Sequence, residues 1–223
     1  NLSKTFAEGD RQRRVFSNLN ASIRKGEFVV LLGRSGSGKS TLLNLISGID
    51  LPSGGEVRIG GRNLTGMTEQ QRTLFRRDHI GFVFQFYNLI PTLNVMENLL
   101  LPLELKKSLD ADSQRRALDI LQQVGLEDRS ASYPDRLSGG EQQRVAICRA
   151  LIHNPLVLLA DEPTGNLDAE SGREVLALLD QLIRKGRMTA LMVTHSAEVA
   201  RLADRVITIK DGGLVETAAS TEA

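Results

Sequence analysis

The chain has 223 residues, 41% apolar and 25% charged, with 28 Lys and Arg against 27 Asp and Glu for a formal charge of +1. These values exclude a disordered, collagenous or disulfide-stapled chain and suit one large domain or two small ones with a core of their own. The balanced charge supplies no overall field to draw in nucleic acid, and the single Cys148 forms no internal disulfide, which fits a reducing compartment.

No apolar run reaches the ~18 residues of a membrane helix. The longest, Phe28–Leu32 and Leu156–Ala160, are strand-sized. No signal-peptide pattern is visible. Position 1 is Asn rather than Met, so a few residues are expected to precede it. The expected location is the cytosol or, if the protein serves a membrane, a peripheral place on its cytoplasmic face.

In chain order, Val15–Arg24 alternates apolar and polar residues as a half-buried strand does. Glu27–Leu32 reads as a buried strand running into a Gly-rich turn. Ser40–Ser47 carries Leu42, Leu43 and Ile46 at helical spacing, with Gly48 as its stop. Glu56–Ile59 and Ile80–Phe84 are further strands. Asp112–Val124 places Ala117, Leu118, Leu121 and Val124 on one helical face before Gly125. Glu141–His153 is a helix closed by Asn154–Pro155, and Leu156–Ala160 a buried strand. Ala169–Lys185 is an amphipathic helix with Val175, Leu178, Leu179 and Leu182 inward. Thr189–Thr194 is a strand and Ser196–Ala203 a short helix. Arg205–Lys210 and Leu214–Glu216 form a hairpin around Asp211–Gly212–Gly213. Strands alternating with helices predict an α/β sheet. Residues 86–154 read as a helical insertion into a core formed by 1–85 and 155–223.

Residues 33–40 read Gly-Arg-Ser-Gly-Ser-Gly-Lys-Ser, between a buried strand and a helix. That is the phosphate-loop pattern in the context it requires. Glycines let successive N–H groups turn toward one phosphate, and the helix start adds its positive dipole end. Lys39 would reach the β and γ phosphates, and Ser40 can ligate Mg²⁺.

Asp161 and Glu162 end the buried strand Leu156–Ala160. Alone, they fit either a surface turn before Pro163 or a nucleotide site. In the second case Asp161 holds Mg²⁺ and Glu162 takes a proton from water. Leu137-Ser-Gly-Gly-Glu-Gln-Gln-Arg144 opens a helix and is either an N-cap with a tight turn or a second anion site.

Taken together, these motifs resemble the ATPase subunit of ATP-binding cassette (ABC) transporters over essentially the whole chain. Gly33–Thr41 matches the Walker A loop, Leu137–Glu141 the signature, and Leu156–Glu162 the Walker B strand with its catalytic Glu. Gln85 matches the Q-loop glutamine, Gly165–Asp168 the D-loop and His195 the switch histidine. The resemblance implies a P-loop NTPase (RecA-like) core with an antiparallel β subdomain and a helical subdomain. It also implies a head-to-tail homodimer around two ATP, each joined to one subunit's Walker A and the other's Ser138 and Gly140.

The nucleotide contacts so implied are Gly33, Ser35, Gly36, Gly38, Lys39, Ser40, Thr41, Ser138, Gly140 and Asp168. Phe6 stands where the family stacks an aromatic on adenine, though a lone Phe near a terminus is otherwise core filler. Glu162, His195 and Gln85 are the implied catalytic residues; Ser40, Gln85 and Asp161 the implied Mg²⁺ ligands. By themselves His195 and Gln85 read equally as a structural histidine and a strand-end amide.

Departures from the common pattern are small: Glu141 for Gln, Ala160 before Walker B, and Gly165-Asn-Leu-Asp168 in the D-loop. The stretch Gly81–Asn98, with Leu159–Asp168, is similar to the branch containing the LolD and MacB ATPases. Its members serve permeases with few membrane helices and a large extracytoplasmic domain. Phe86–Ile90 is a candidate partner surface. The division-associated ATPase FtsE shares the layout, so a regulatory role is the alternative. ABC ATPases of nucleic acid usually carry coiled coils or two cassettes, and neither is visible here, so no nucleic-acid partner is expected. The clusters Arg11, Arg13, Arg14 and Arg72, Arg76, Arg77 read as solvated, with anionic lipid as the other reading.

Overall fold

A computed structural model describes residues 1–9, 11–210 and 212–217. In chain order its elements are β1 (Leu2–Glu8), β2 (Arg11–Leu19), β3 (Phe28–Leu32), α1 (Lys39–Ile46), β4 (Arg58–Ile59), β5 (Arg62–Asn63), α2 (Glu69–His79) and β6 (Ile80–Val83). They continue with α3 (Val95–Leu105), α4 (Ser113–Gln123), α5 (Gly139–Leu151), β7 (Val157–Asp161), α6 (Ala169–Gly186), β8 (Thr189–Thr194), α7 (Ala197–Ala200), β9 (Arg205–Lys210) and β10 (Gly213–Thr217). No helix among the described residues is long and apolar enough to cross a membrane.

The chain forms two compact units, Asn1–Arg76 with the segment from Arg187 onward, and Arg77–Gly186. In the first, β3 lies between β8 and β9 and is parallel to both, while β10 returns antiparallel along β9. A strand covered on both faces must be apolar throughout. Phe28, Val29, Val30 and Leu31 of β3 are accordingly all buried, each stabilising the fold by ~1.5–3 kcal/mol. The hairpin β1–β2 forms a separate antiparallel pair. The turn residue Asp211 expected between β9 and β10 lies outside the described residues.

In the second unit β6 and β7 pair in parallel, Ile80 with Val157 through Val83 with Ala160. Helix α5 packs on β6, α3, α4 and α6. Its buried side includes Val145, Ala146, Ile147, Cys148, Ala150 and Leu151. Burial pushes the Cys148 thiol up to about 12, and the smaller opposing pull of the Arg144 charge does not offset it.

Several boundaries differ from those read in the sequence. The first expected strand begins earlier and stops at Leu19, because Asn18 turns to φ 59°. Leu118 of α4 is exposed while Ala117, Leu121 and Val124 are buried. In α6, Leu176 is buried and Leu178 only half-buried. Three elements carry no clear periodic signal. In β1 a lysine, Lys4, occupies a buried position. Helix α2 buries only Phe75. Helix α3 is apolar on most sides and contains Pro102, which hides its period; its start is held by a capping box between Asn94 and Glu97.

Candidate nucleotide-binding site

The phosphate loop leaves β3 at Gly33 and enters α1 at Lys39. Gly38 caps the helix in the left-handed region at φ 96°, which a side chain would strain. A Cβ there would lie 2.7 Å from both Phe16 Cζ and Val15 Cγ1. A Cβ on Gly33 would lie 2.5 Å from Ser37 Oγ. Val15 and Phe16 thus pack beneath Gly38, Ser37 lies against Gly33, and a Cβ on Gly36 would meet nothing within 4 Å. Lys39 is buried, and its ammonium donates to the carbonyls of Gly33 at 2.8 Å and Arg34 at 3.1 Å. Ser37 Oγ is buried against Gly33 without a hydrogen-bond partner. Ser35, Gly36 and Ser40 are exposed and Thr41 is half-buried.

His195 follows β8 directly and is exposed. The register pairs Leu32 with Thr194, so Gly33 and His195 leave neighbouring parallel strands at the same level. Ligands of open α/β sheets bind at such carboxyl ends. Phe6 is 38% exposed on β1, with Arg13 as its cross-strand partner. Arg13 donates to Glu8 at 3.4 Å. A pocket of about 290 Å³ is lined by Arg13, Arg14, Val15, Gly36, Ser37 and neighbouring residues of the β9–β10 hairpin. Arg13 and Arg14 of the first basic cluster therefore border the phosphate loop. Part of the second is structural. Arg72 and Arg76 both donate to the Gly48 carbonyl, at 3.1 and 2.7 Å, at the carboxyl end of α1. Arg77 pairs with Asp78 at 2.8 Å.

The remaining expected residues belong to the second unit. Asp161 ends β7 half-buried, and Glu162 follows at φ 45°. A non-glycine residue there costs of order 1 kcal/mol, a strain that concentrates at functional sites. Gln85 and Asn166 form a reciprocal pair: the Gln85 amide donates to Asn166 Oδ1 at 3.2 Å, and the Asn166 amide to the Gln85 carbonyl at 3.1 Å. A Cβ on Gly165 would lie 2.8 Å from Gln85 Nε2, so the D-loop glycine admits the Q-loop side chain.

Asp168 accepts from the Glu170 and Ser171 backbone amides, each at 3.0 Å, and so caps α6. Its hydrogen bonds to Ser171 hold the carboxyl below its ordinary range. Ser138 caps α5: its hydroxyl accepts from Glu141 N at 3.2 Å, and Glu141 accepts from Ser138 N at 2.7 Å. The departure at Glu141 is thereby explained as half of a capping box, and its bond from Ser138 N lowers its carboxyl pKa. Ser138 is exposed at the start of α5. Gly140 is buried beside Ser171.

Two residues escaped sequence reading. Gln143, fully buried, donates to the Phe84 carbonyl at 3.2 Å. Arg149 donates to the carbonyls of Asn88 at 2.6 Å and Tyr87 at 3.0 Å. Helix α5 thus holds both ends of the segment carrying Gln85. Their partners are backbone carbonyls, which leave no motif.

Ser40 of the first unit and Asp161 of the second each carry a hard oxygen of the kind Mg²⁺ takes, alongside phosphate and water.

The ABC transporter family model matches residues 16–165. An uncharacterized ABC transporter ATP-binding protein of Mycobacterium tuberculosis is 55% identical over 96% of this chain and 87% of its own length. The macrolide export ATP-binding/permease protein MacB of Escherichia coli is 46% identical over 96% of this chain, which spans 33% of MacB. The lipoprotein-releasing system ATP-binding protein LolD of Psychrobacter arcticus is 43% identical over 95% of this chain and 94% of its own. Among solved structures, the dimeric post-hydrolysis state of the cassette MJ0796, bound to ADP and Pi, superposes with a TM-score of 0.88 at 42% identity. It covers 100% of this chain and 98% of that one. The α/β P-loop NTPase architecture expected from the sequence is therefore the architecture observed. With its phosphate loop intact and its relatives named for ATP binding, the chain belongs to the ABC transporter family, as an ATP-binding ATPase subunit.

Proposed function

We propose that two copies of this chain close head to tail around two ATP and, through that closure, drive a membrane permease of the MacB and LolD type. The observation that carries the reading is the phosphate loop, with left-handed Gly36 and Gly38 and buried Lys39. The dimeric state of MJ0796 with ADP and Pi supports the dimer. The joined ATP-binding and permease parts of MacB, and the lipoprotein-releasing role named for LolD, support the partner. In this reading residues 86–154 are the helical signature subdomain, and 1–85 with 155–223 the core.

The roles follow from donor and acceptor chemistry. Lys39 and the backbone amides of Gly36 and Gly38, with Gly33, Ser35 and Thr41 shaping the loop, bind the phosphates. Phe6 stacks on adenine. Ser138, Gly140 and Asp168 of the opposing subunit complete each site. Glu162 accepts the proton of the attacking water, and His195 and Gln85 orient that water. Ser40, Asp161 and Gln85 would hold Mg²⁺, which would supply charge neutralisation at the phosphates. The protein lies on the cytoplasmic face of the membrane, against a permease with few membrane helices and a large extracytoplasmic domain.

The test is affinity capture from detergent-solubilised membranes with Glu162→Gln and ATP, which holds the closed dimer. Recovery of a permease of that layout supports the proposal. A permease of another layout overturns the branch, and recovery of nucleic-acid machinery alone overturns the transporter reading.

A further inference from the structure

Phe6 does not stand alone on β1. Lys4, two residues earlier and on the same face, has its ammonium 4.6 Å from the centroid of the Phe6 ring. Lys4 is only 8% exposed, unusual for a lysine. Its ammonium is fixed by the Asp50 carboxylate, at 2.7 and 2.8 Å to the two oxygens, and by the Leu51 carbonyl at 2.8 Å. A buried ammonium so bound has little freedom to move, and an ammonium over a phenyl face is attracted by the ring quadrupole. One face of the ring is thereby occupied by a cation, while Phe6 keeps 38% of its surface open.

We propose that Lys4 is the positioning residue of the adenine contact: anchored by Asp50 and Leu51, it closes one face of the Phe6 ring and fixes the other as the platform for the base. This rests on the reading of Phe6 as the adenine-stacking residue and adds to it a second layer. The segment just after α1 supplies Asp50 and Leu51, so the element that begins at the phosphate loop also sets the ring that receives the base. The cation draws π-density toward itself, which leaves the open face better suited to a purine. Lys4 touches no nucleotide in this arrangement; it acts through Phe6.

The test is calorimetric titration of the full chain with Mg·ATP and, separately, with magnesium tripolyphosphate, which keeps the phosphates and lacks the base. Phe6→Ala tests the underlying reading. It should weaken ATP and leave tripolyphosphate unchanged, and equal affinities with and without the ring overturn the role of Phe6. Lys4→Met should weaken ATP about fivefold, leave tripolyphosphate unchanged, and be restored by Lys4→Arg. In a Phe6→Ala background the same substitution should have no further effect on ATP. If Phe6→Ala weakens ATP and Lys4→Met does not, the positioning role is overturned while Phe6 stands. Equal weakening of both ligands by Lys4→Met marks a general structural loss and also overturns it. Should Lys4→Met fail to fold, Asp50→Asn loosens the same ammonium; it should weaken ATP selectively, and an unchanged ATP affinity overturns the proposal.

Discussion

The ammonium of Lys39 donates to the carbonyl of Gly33, 2.8 Å away, across the mouth of its own loop. The loop backbone therefore holds the cation in place at the cost of bonds that a phosphate would replace with a stronger, charge-assisted one. Lys39→Ala should lower nucleotide affinity by at least about tenfold. Titration with a fluorescent ATP analogue measures this, and an affinity within twofold of the parent would contradict the assignment of Lys39.

Gly38 offers a stability test. At φ 96°, with a Cβ 2.7 Å from the fully buried Phe16 ring, Gly38→Ala combines left-handed strain with overpacking. The expected loss is roughly 2–4 kcal/mol in urea unfolding. Gly36 is also left-handed, but a Cβ there meets nothing within 4 Å, so Gly36→Ala should cost only ~1–2 kcal/mol.

Arg149 holds the Gln85 segment through the carbonyls of Asn88 and Tyr87. Arg149→Met keeps most of the apolar stem and strands both acceptors, at a cost of about 1–3 kcal/mol. Hydrogen exchange should rise at the amides of residues 84–90 and stay unchanged in β3. Uniform exchange across both would contradict a local clamp.

His153 makes stability depend on pH. Burial is the largest cause pushing its imidazole below the ordinary value of 6.5. The folded state therefore binds the proton less tightly than the unfolded chain does. The contribution of neutral His153 is intact above pH 6.5 and is lost progressively as pH falls below it. The urea midpoint should drop between pH 7.5 and 5.5, and His153→Gln should flatten that part of the profile. An unaltered slope in the variant would refute the linkage.

Cys148 should be chemically silent while the chain is folded. Its thiol is buried, and with a pKa of about 12 it is almost wholly protonated at pH 8. An aromatic disulfide reagent should release no chromophore from native protein and one equivalent after unfolding. Rapid reaction of the native chain would show that α5 opens.

Legibility in the sequence followed a physical rule. Runs such as Phe28–Leu32 and Val157–Ala160 announced themselves because parallel strands are covered on both faces and must be apolar throughout. The phosphate loop was readable because only glycine fits its left-handed turns and close approaches. Elements whose burial depends on a distant partner were not. Lys4 sits inside β1 because Asp50, 46 residues away, neutralises it. Helix α2 lacks an apolar stripe because it buries little beyond Phe75, while its arginines bond to Gly48.

The sequence by itself determined the α/β class, the phosphate loop and the order of the motifs, since each rests on residue types at fixed local spacing. Only the tertiary structure decided that Gly33 and His195 leave adjacent strands in register, that Gln85 pairs with Asn166, and that α5 grips the Gln85 segment. It also decided that Lys4 backs Phe6. These depend on strand pairing and on bonds to backbone carbonyls, which every residue carries and no pattern of side chains records.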